Sequence, residues 1–248
     1  MSLQTRKPEP LKTLRPQIAA SIELYLTQRP EFELLANTLL QNLSEDSSLK
    51  RLIHSTKYRT KDPDHLRDKL TRKAEEAIQD RKRFDITPDN LFTKVEDLAG
   101  VRLLHLHTKQ MADIHAAVLH VINEHKYRLI GNPVANTWDI ENQEYFKSIG
   151  LKTSLRPSLY TSVHYIIQAN RRTEMRCELQ VRTLMEEVWG EVSHTINYPH
   201  ETEILCCREQ LRVLARSASG CTRLVDSIFA SHADHQQRRP LQKQSTKL

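Results

Sequence analysis

The sequence predicts an α/β (α+β) domain, a mixed sheet flanked by helices, with further helices at both chain ends. Apolar residues recur at helical spacing near both termini, while short β-branched runs such as VRLLHL and SVHYIIQA alternate with amphipathic stretches between them. Only 5 glycines occur in 248 residues, which argues against a glycine-turned sandwich. No internal repeat is present, so a solenoid is not expected.

Residues 11–28 set Leu14, Ile18, Ile22 and Leu26 on one helical face. Arg29-Pro30 should stop that helix and start a second, in which Phe32, Leu35, Leu39 and Leu43 repeat. SEDSS, Ser44 to Ser48, reads as a turn, and Tyr58 to Lys61 as a short strand or extended segment. Asp62 is a good N-cap and Pro63 suits the first helical position. Leu66, Leu70, Ala74 and Ile78 form the buried stripe of that helix, and its other face is strongly basic.

After a turn at Thr87-Pro88-Asp89 and a short helical stretch, Gly100 separates Glu96-Asp97 from a strand, Val101 to Leu106. Met111, Ile114, Val118 and Val121 mark another amphipathic helix, and residues 127–130 a short strand. Residues 131–158 show no clean period and read as a long loop with one helical turn. Ser162 to Ala169 is a strand, NRRT turns the chain, and Met175 to Arg182 is a strand again. In that last strand Met175, Cys177, Leu179 and Val181 face one way, and Arg176, Glu178, Gln180 and Arg182 the other. Thr183 caps a helix through His194 that ends near Pro199. A final helix runs from Glu201 to Phe229 on Leu211, Leu214, Ala218, Cys221, Val225 and Ile228. The organisation expected is a helical extension over 1–50, a core domain over 51–200, a C-terminal helix over 201–231 and a disordered basic tail over 232–248.

The formal net charge of +6 suits polyanionic ligands such as nucleotides or RNA, and equally a mildly basic surface. Neither GxGxxG nor GxxxxGK[ST] occurs, so side chains rather than backbone amides would have to hold phosphates. Cys177, Cys206, Cys207 and Cys221 form no CxxC pair, which fits a reducing, cytoplasmic setting. No apolar run reaches the ~18 residues of a membrane helix, and the N-terminus lacks the apolar core of a signal peptide. The 12 histidines make no zinc pattern, and no Ser-His-Asp or Cys-His arrangement is readable.

Two carboxylates stand out by position, Asp97 before one strand and Glu178 on the polar face of another. On neighbouring strands they could hold Mg²⁺ with substrate phosphates; otherwise they are ordinary solvated charges. Arg59, Lys61, Arg102, Arg156 and Arg182 frame them, and arginine grips phosphate bidentately or stacks on a base. Arg59 and Lys61 also precede a helix N-terminus, which favours anions. His164 and His194 are further candidates, although a lone histidine is more often structural.

Four segments in this order resemble the synthetase domain of the RelA/SpoT family, the pyrophosphokinases that make guanosine tetra- and pentaphosphate. YRTKDPDHLRDKL resembles R-x-K-x-x-x-S-x-x-x-K-L, and VEDLAGVRLL resembles apolar-x-D-L-x-G-x-R. RPSLYTSVHYII resembles K-x-N-G-Y-x-S-x-H, and CELQVRTLMEEVWGEVSHTINYP resembles E-x-Q-I-R-T followed by W, H and Y. The resemblance runs from about Tyr58 to Tyr198 and implies a mixed sheet of nucleotidyltransferase type. It implies that Asp97 and Glu178 coordinate Mg²⁺, with Glu178 helping to deprotonate the attacking 3′-hydroxyl. Arg59 and Arg102 would sandwich the adenine of ATP, and Lys61 would contact its phosphates. Tyr160 would stack on the guanine of GDP or GTP, Arg156 and His164 would approach the acceptor's phosphates, and Gln180 and Arg182 would support the floor. The family's Asn-Gly before the tyrosine is Ser158-Leu159 here, and its serine after R-x-K is His65. Relatives acting on adenosine nucleotides or the tRNA 3′ end share the architecture, so these acceptors stay open, as does a degenerate nucleotide- or RNA-binding domain. The chain has no His-Asp dipeptide of the kind the family's hydrolase domain needs, so a stand-alone synthetase is expected, and such synthetases are often homo-oligomers.

Overall fold

The computed structural model describes residues 11–170, 172–198 and 201–245. Helix α1 (Leu11–Glu45) is continuous, with Pro16 and Pro30 inside it, where a break was expected at Arg29-Pro30. An interior proline costs a helix about 3 kcal/mol. Burial on both sides of Pro30 offsets this: Tyr25 and Phe32 are fully buried with ring centroids 5.8 Å apart, and Phe32 meets Phe92 edge-on at 5.0 Å. Leu26 is exposed, and Tyr25 takes the place on the stripe expected for it.

Asp46 caps α2 (Ser47–Leu52), and strand β1 (Ile53–Thr60) starts five residues before the expected Tyr58. Its residues are mostly exposed, so no apolar alternation marks it. Asp62 Oδ1 accepts from the Asp64 and His65 amides at 2.9 and 3.1 Å and caps α3 (Pro63–Gln79). Next come α4 (Leu91–Lys94), β2 (Ala99–His105), α5 (Met111–Glu124) and β3 (Arg128–Leu129).

The stretch expected to be a loop, 131–158, instead holds β4 (Val134–Thr137), α6 (Ile140–Ser148) and β5 (Lys152–Leu155). Each is too short for a period to register, and α6 buries little beyond Asn142 and Phe146. Strands β6 (Ser162–Gln168) and β7 (Arg176–Thr183) lead into α7 (Leu184–Asn197) and α8 (Leu205–Ser245). Pro199, the expected end of α7, lies outside the described residues.

On α8, Leu211, Ala215, Ala218 and Thr222 are buried, whereas Ile228 and Cys221, both expected on the stripe, are exposed. The helix also continues past Phe229 through most of the 232–248 segment expected to be disordered. An Arg238–Asp234 ion pair at 2.9 Å, one turn apart, supports that extension. Residues 246–248 lie outside the described residues. Among the described residues, no helix is long and apolar enough to cross a membrane.

The sheet is mixed, in the order β1-β2-β7-β6-β4-β5, with β3 also paired to β6. The β2–β7 and β4–β5 pairs are parallel and the rest antiparallel. One face is apolar: Val101, Leu103, Leu179, Val181, Val163 and Tyr165 are buried in the main core with α1 and α5. Helix α1 packs across β1, β2 and β7, and α7 contacts β2 and β7. Directly cross-paired residues share a face. Lys57, Arg102, Gln180 and His164 therefore form one row of the polar face, and Arg59, Gly100 and Glu178 the next.

His105 closes β2 inside the core. Its Nδ1 donates to the His107 carbonyl at 3.0 Å, and burial lowers its pKa from the ordinary 6.5 to about 4. Between those values the unfolded chain binds a proton that the folded chain excludes, so stability falls as pH drops from 6.5 towards 4. This group should cost about 3 kcal/mol across that window. Chemical denaturation of the wild type against His105→Asn, whose amide can reach the same carbonyl, should show that difference at pH 4.5 and little of it at pH 7.5. Parallel pH profiles for the two proteins would refute it.

Candidate active site

Both sequence-predicted carboxylates line one pocket of about 180 Å³ on the polar face, with Arg59, Gly100, Arg102 and Gln180. Asp97 reaches it from the turn before β2. Two contacts fix that turn: the Lys61 amide donates to Leu98 O at 2.9 Å, and the buried Tyr25 hydroxyl of α1 donates to Lys61 O at 2.5 Å. The Asp97 carboxylate meets Lys61 at 2.9 Å and Lys69 at 2.7 Å. Burial would raise its pKa, but the Lys69 and Lys61 ammoniums outweigh this and hold it at about 2.

Glu178 is balanced differently. Its Oε1 lies 2.9 Å from His164 Nδ1, and its Oε2 accepts from Gln180 Nε2 at 2.7 Å. Burial pushes its pKa up, the His164 hydrogen bond pulls it down, and the net direction is down. The other nitrogen of His164, Nε2, lies 3.0 Å from the Tyr160 hydroxyl. A Tyr160–His164–Glu178 chain therefore joins the loop before β6 to the floor. A neutral His164 with its proton on Nδ1 donates to Glu178 and accepts from Tyr160. His164, expected near the acceptor's phosphates, is the middle link of this chain.

Among the described residues, exposed Arg59 makes no ion pair. Arg102 is held: its Nη1 meets Glu187 at 2.7 Å and Glu191 at 2.6 Å, both on α7. Arg182 Nη2 meets the same Glu187 at 2.5 Å, and Lys57 meets it at 2.9 Å. The Glu187 side chain is 8% exposed, so one buried carboxylate sits between three cations of the floor and offsets part of their charge. Gly190 lets α7 sit this close: a Cβ there would stand 2.6 Å from Arg182 Nη1. Sequence reasoning missed Glu187, Glu191, Lys57 and Lys69. The available signal was the Glu187/Glu191 pair, one turn apart on one face of the helix.

A larger cleft of about 600 Å³ adjoins the pocket and shares Arg59, Arg102, Gln180 and Glu191 with it. Tyr160 lines the cleft, half-buried beside Leu159, Trp189 and Leu214, with Arg182 5.9 Å from its ring centroid. Burial raises its hydroxyl pKa, so it is a neutral phenol at pH 7. Leu159, in the position of the family's glycine, has φ +63°, the left-handed region that glycine favours. Arg156 turns to β4, where its Nε donates to Asn136 Oδ1 at 2.7 Å. His194 stacks on Tyr198 at 4.7 Å, and both line the cleft, while His65 of α3 packs on Tyr198 at 4.5 Å. Among the described residues, no three His, Cys, Asp or Glu gather as a metal site.

The family model described as "Region found in RelA / SpoT proteins" matches residues 58–203. The chain belongs to the RelA/SpoT family. GTP pyrophosphokinase YwaC of Bacillus subtilis (strain 168) is 26% identical over 157 residues, and the match spans 61% of each chain. Among solved structures, a GTP pyrophosphokinase family protein from Streptococcus pneumoniae superposes with a TM-score of 0.56 at 17% identity, covering 87% of this chain and 94% of that one. Small alarmone synthetase 1 of Bacillus subtilis bound to its product pppGpp gives 0.54 at 16% identity, covering 82% and 93%. At these identities the likeness concerns the fold. The RelA/SpoT match takes in β2, β6, β7 and α7 and stops just before α8.

In this RelA/SpoT chain, removing the Glu187 charge should expose the repulsion among Lys57, Arg102 and Arg182. Breaking a buried ion-pair network from one side typically costs about 3 kcal/mol or more. Glu187→Gln should therefore melt about 10 °C lower than the wild type. A melting temperature within about 2 °C of wild type in a thermal scan would show that the network contributes little.

Proposed function

We propose that this chain transfers pyrophosphate from ATP to the 3′-hydroxyl of GDP or GTP, producing (p)ppGpp and AMP. The observation that carries the reading is the pairing of Asp97 and Glu178 in one cationic pocket, with Glu178 linked through His164 to Tyr160. Family membership and the named relative support it.

Arg59 and Arg102 stand on neighbouring strands of one face, one cross-strand row apart, and can bracket the adenine of ATP. Lys61 already holds an anionic oxygen and can exchange Asp97 for a donor phosphate. Tyr160 offers its ring to the acceptor base. Glu178 is kept ionised and can take the proton of the 3′-hydroxyl, and the Nδ1–H of His164 fixes the carboxylate for that role. The 3′-oxygen then bonds to the β-phosphorus, the bond from that phosphorus to the α-bridging oxygen breaks, and AMP leaves with that oxygen.

Two hard-oxygen carboxylates facing one pocket fit Mg²⁺, which binds through one or two carboxylates with substrate phosphates. Asp97 and Glu178 would hold it, and when bound it would offset the charge of the transferring phosphates. Positioning and charge neutralisation are the main demands of phosphoryl transfer, and this donor set meets both.

The test is incubation with γ-labelled ATP, Mg²⁺ and GDP, GTP, ADP, ATP or tRNA as acceptor. Label should pass to GDP or GTP, and Asp97→Asn or Glu178→Gln should each abolish transfer. Tyr160→Ala should weaken acceptor use by about 1–3 kcal/mol, the size of base–aromatic stacking. Transfer to no acceptor would refute the enzyme reading. Transfer only to adenosine nucleotides or tRNA would move the acceptor assignment, and the substituted Ser158-Leu159 segment is where such a change would lie.

A further inference from the structure

The family match ends at residue 203, yet α8 does not leave the site. It forms the far wall of the 600 Å³ cleft through Arg208, Leu211 and Arg212. That wall is fixed in place. Trp189 Nε1 donates to Leu211 O at 3.0 Å, and Ala215 and Ala218 are buried against Trp189, with Leu159 and Tyr160 packed on the same cluster. Further along, Ser219 donates to Asp139 at 2.8 Å, and Arg223 pairs with Asp139 and with Glu141. Asp226 meets His107 at 2.6 Å and accepts from the Lys109 amide at 2.8 Å.

Charge gives the wall a ligand class. Six arginines line the cleft against two glutamates, Glu191 and Glu201, so the cleft favours a polyanion. Arg102 and Arg182 are engaged with Glu187. Arg208 has no side-chain partner among the described residues. Arg212 has the exposed Glu209 at 2.7 Å, a surface pair that a phosphate can displace.

The cleft opens from the pocket that holds Asp97 and Glu178. An acceptor must bring its 3′-hydroxyl to that pocket while its base lies on Tyr160. Its 5′ end then points away from the carboxylates, along the cleft towards α8. We propose that α8 is part of the acceptor site and that Arg208 and Arg212 bind the 5′-phosphates of a purine nucleoside polyphosphate. This rests on the pyrophosphokinase reading above.

Calorimetric titration of the full chain with GDP, GTP, guanosine and a non-hydrolysable ATP analogue tests it. The double variant Arg208→Ala/Arg212→Ala should bind GDP and GTP at least about tenfold more weakly, as expected for loss of charge-assisted hydrogen bonds. Guanosine and the ATP analogue should bind within about twofold of wild type. Arg208→Lys should recover part of the loss, and Arg238→Ala, far along α8, should change nothing. Unchanged GDP binding in the double variant overturns the proposal, as does an equal loss for guanosine, which would mark a collapsed cleft. If the wild type transfers label to GDP while the double variant gives either result, the pyrophosphokinase reading stands. A wild type that binds no guanine nucleotide overturns both.

Discussion

The two-residue alternation of a β-strand, held in register across β1, β2, β7 and β6, is the constraint on which the site depends. It sorts the chain into a face that α1 and α5 bury and a face that carries Lys57, Arg59, Arg102, Glu178, Gln180 and His164. A slip of one residue between β2 and β7 would send Glu178 into the core and Leu179 into the pocket. The apolar face prevents this, because each of Val101, Leu103, Leu179 and Val181 is almost fully buried. The geometry of the candidate site is thus fixed by hydrophobic burial on the opposite side of the same strands. Gly100 lies in the middle of the polar face. A Cβ there would meet only Glu178 O at 3.7 Å and Arg59 Cγ at 3.9 Å, so neither crowding nor backbone conformation demands glycine. Its missing side chain instead leaves floor area open between Arg59 and Glu178.

A cationic floor repels itself when no polyanion is present. Helix α7 answers with Glu187 and Glu191, which stand against Arg102, Arg182 and Lys57. The two carboxylates differ in burial: Glu187 is 8% exposed and Glu191 57%. Glu187 is therefore a permanent counter-ion that orders the guanidiniums, while the exposed Glu191 is the more readily exchanged partner of Arg102. At the other end of the row, Lys61 and Lys69 play the converse part for Asp97. Arg59 apart, the pocket holds its charges in ready-made pairs, so a ligand there would mainly exchange partners.

Much of this was legible in sequence where one period ran long enough to register. The alternation from Met175 to Arg182 placed Glu178, Gln180 and Arg182 on the polar face, and Asp62-Pro63 marked the start of α3. The misses have physical causes. Strand β1 is an exposed edge, so its paired backbone leaves no apolar signature. The β4-α6-β5 segment is built from pieces of 4, 9 and 4 residues, each below the length at which periodicity separates from noise. Glu187 looked like one more polar residue of a capped helix. Its role comes from partners 85 and 130 residues away in sequence, which local pattern cannot hold.

The segment that departs most from the family pattern is the one that the C-terminal helix touches. A leucine at φ +63° costs roughly 1 kcal/mol or more relative to glycine. Such a residue persists only where its surroundings over-determine it, and here they do. The Leu159 side chain packs against the cluster of Trp189 with Ala215 and Ala218 of α8, and its amide donates to Arg156 O at 3.1 Å. Glycine would relax the backbone and lose that packing. The loop that carries Tyr160 is thus coupled to α8 by a side chain that the family's glycine cannot supply. The departure in sequence and the extra wall of the cleft are two sides of one contact.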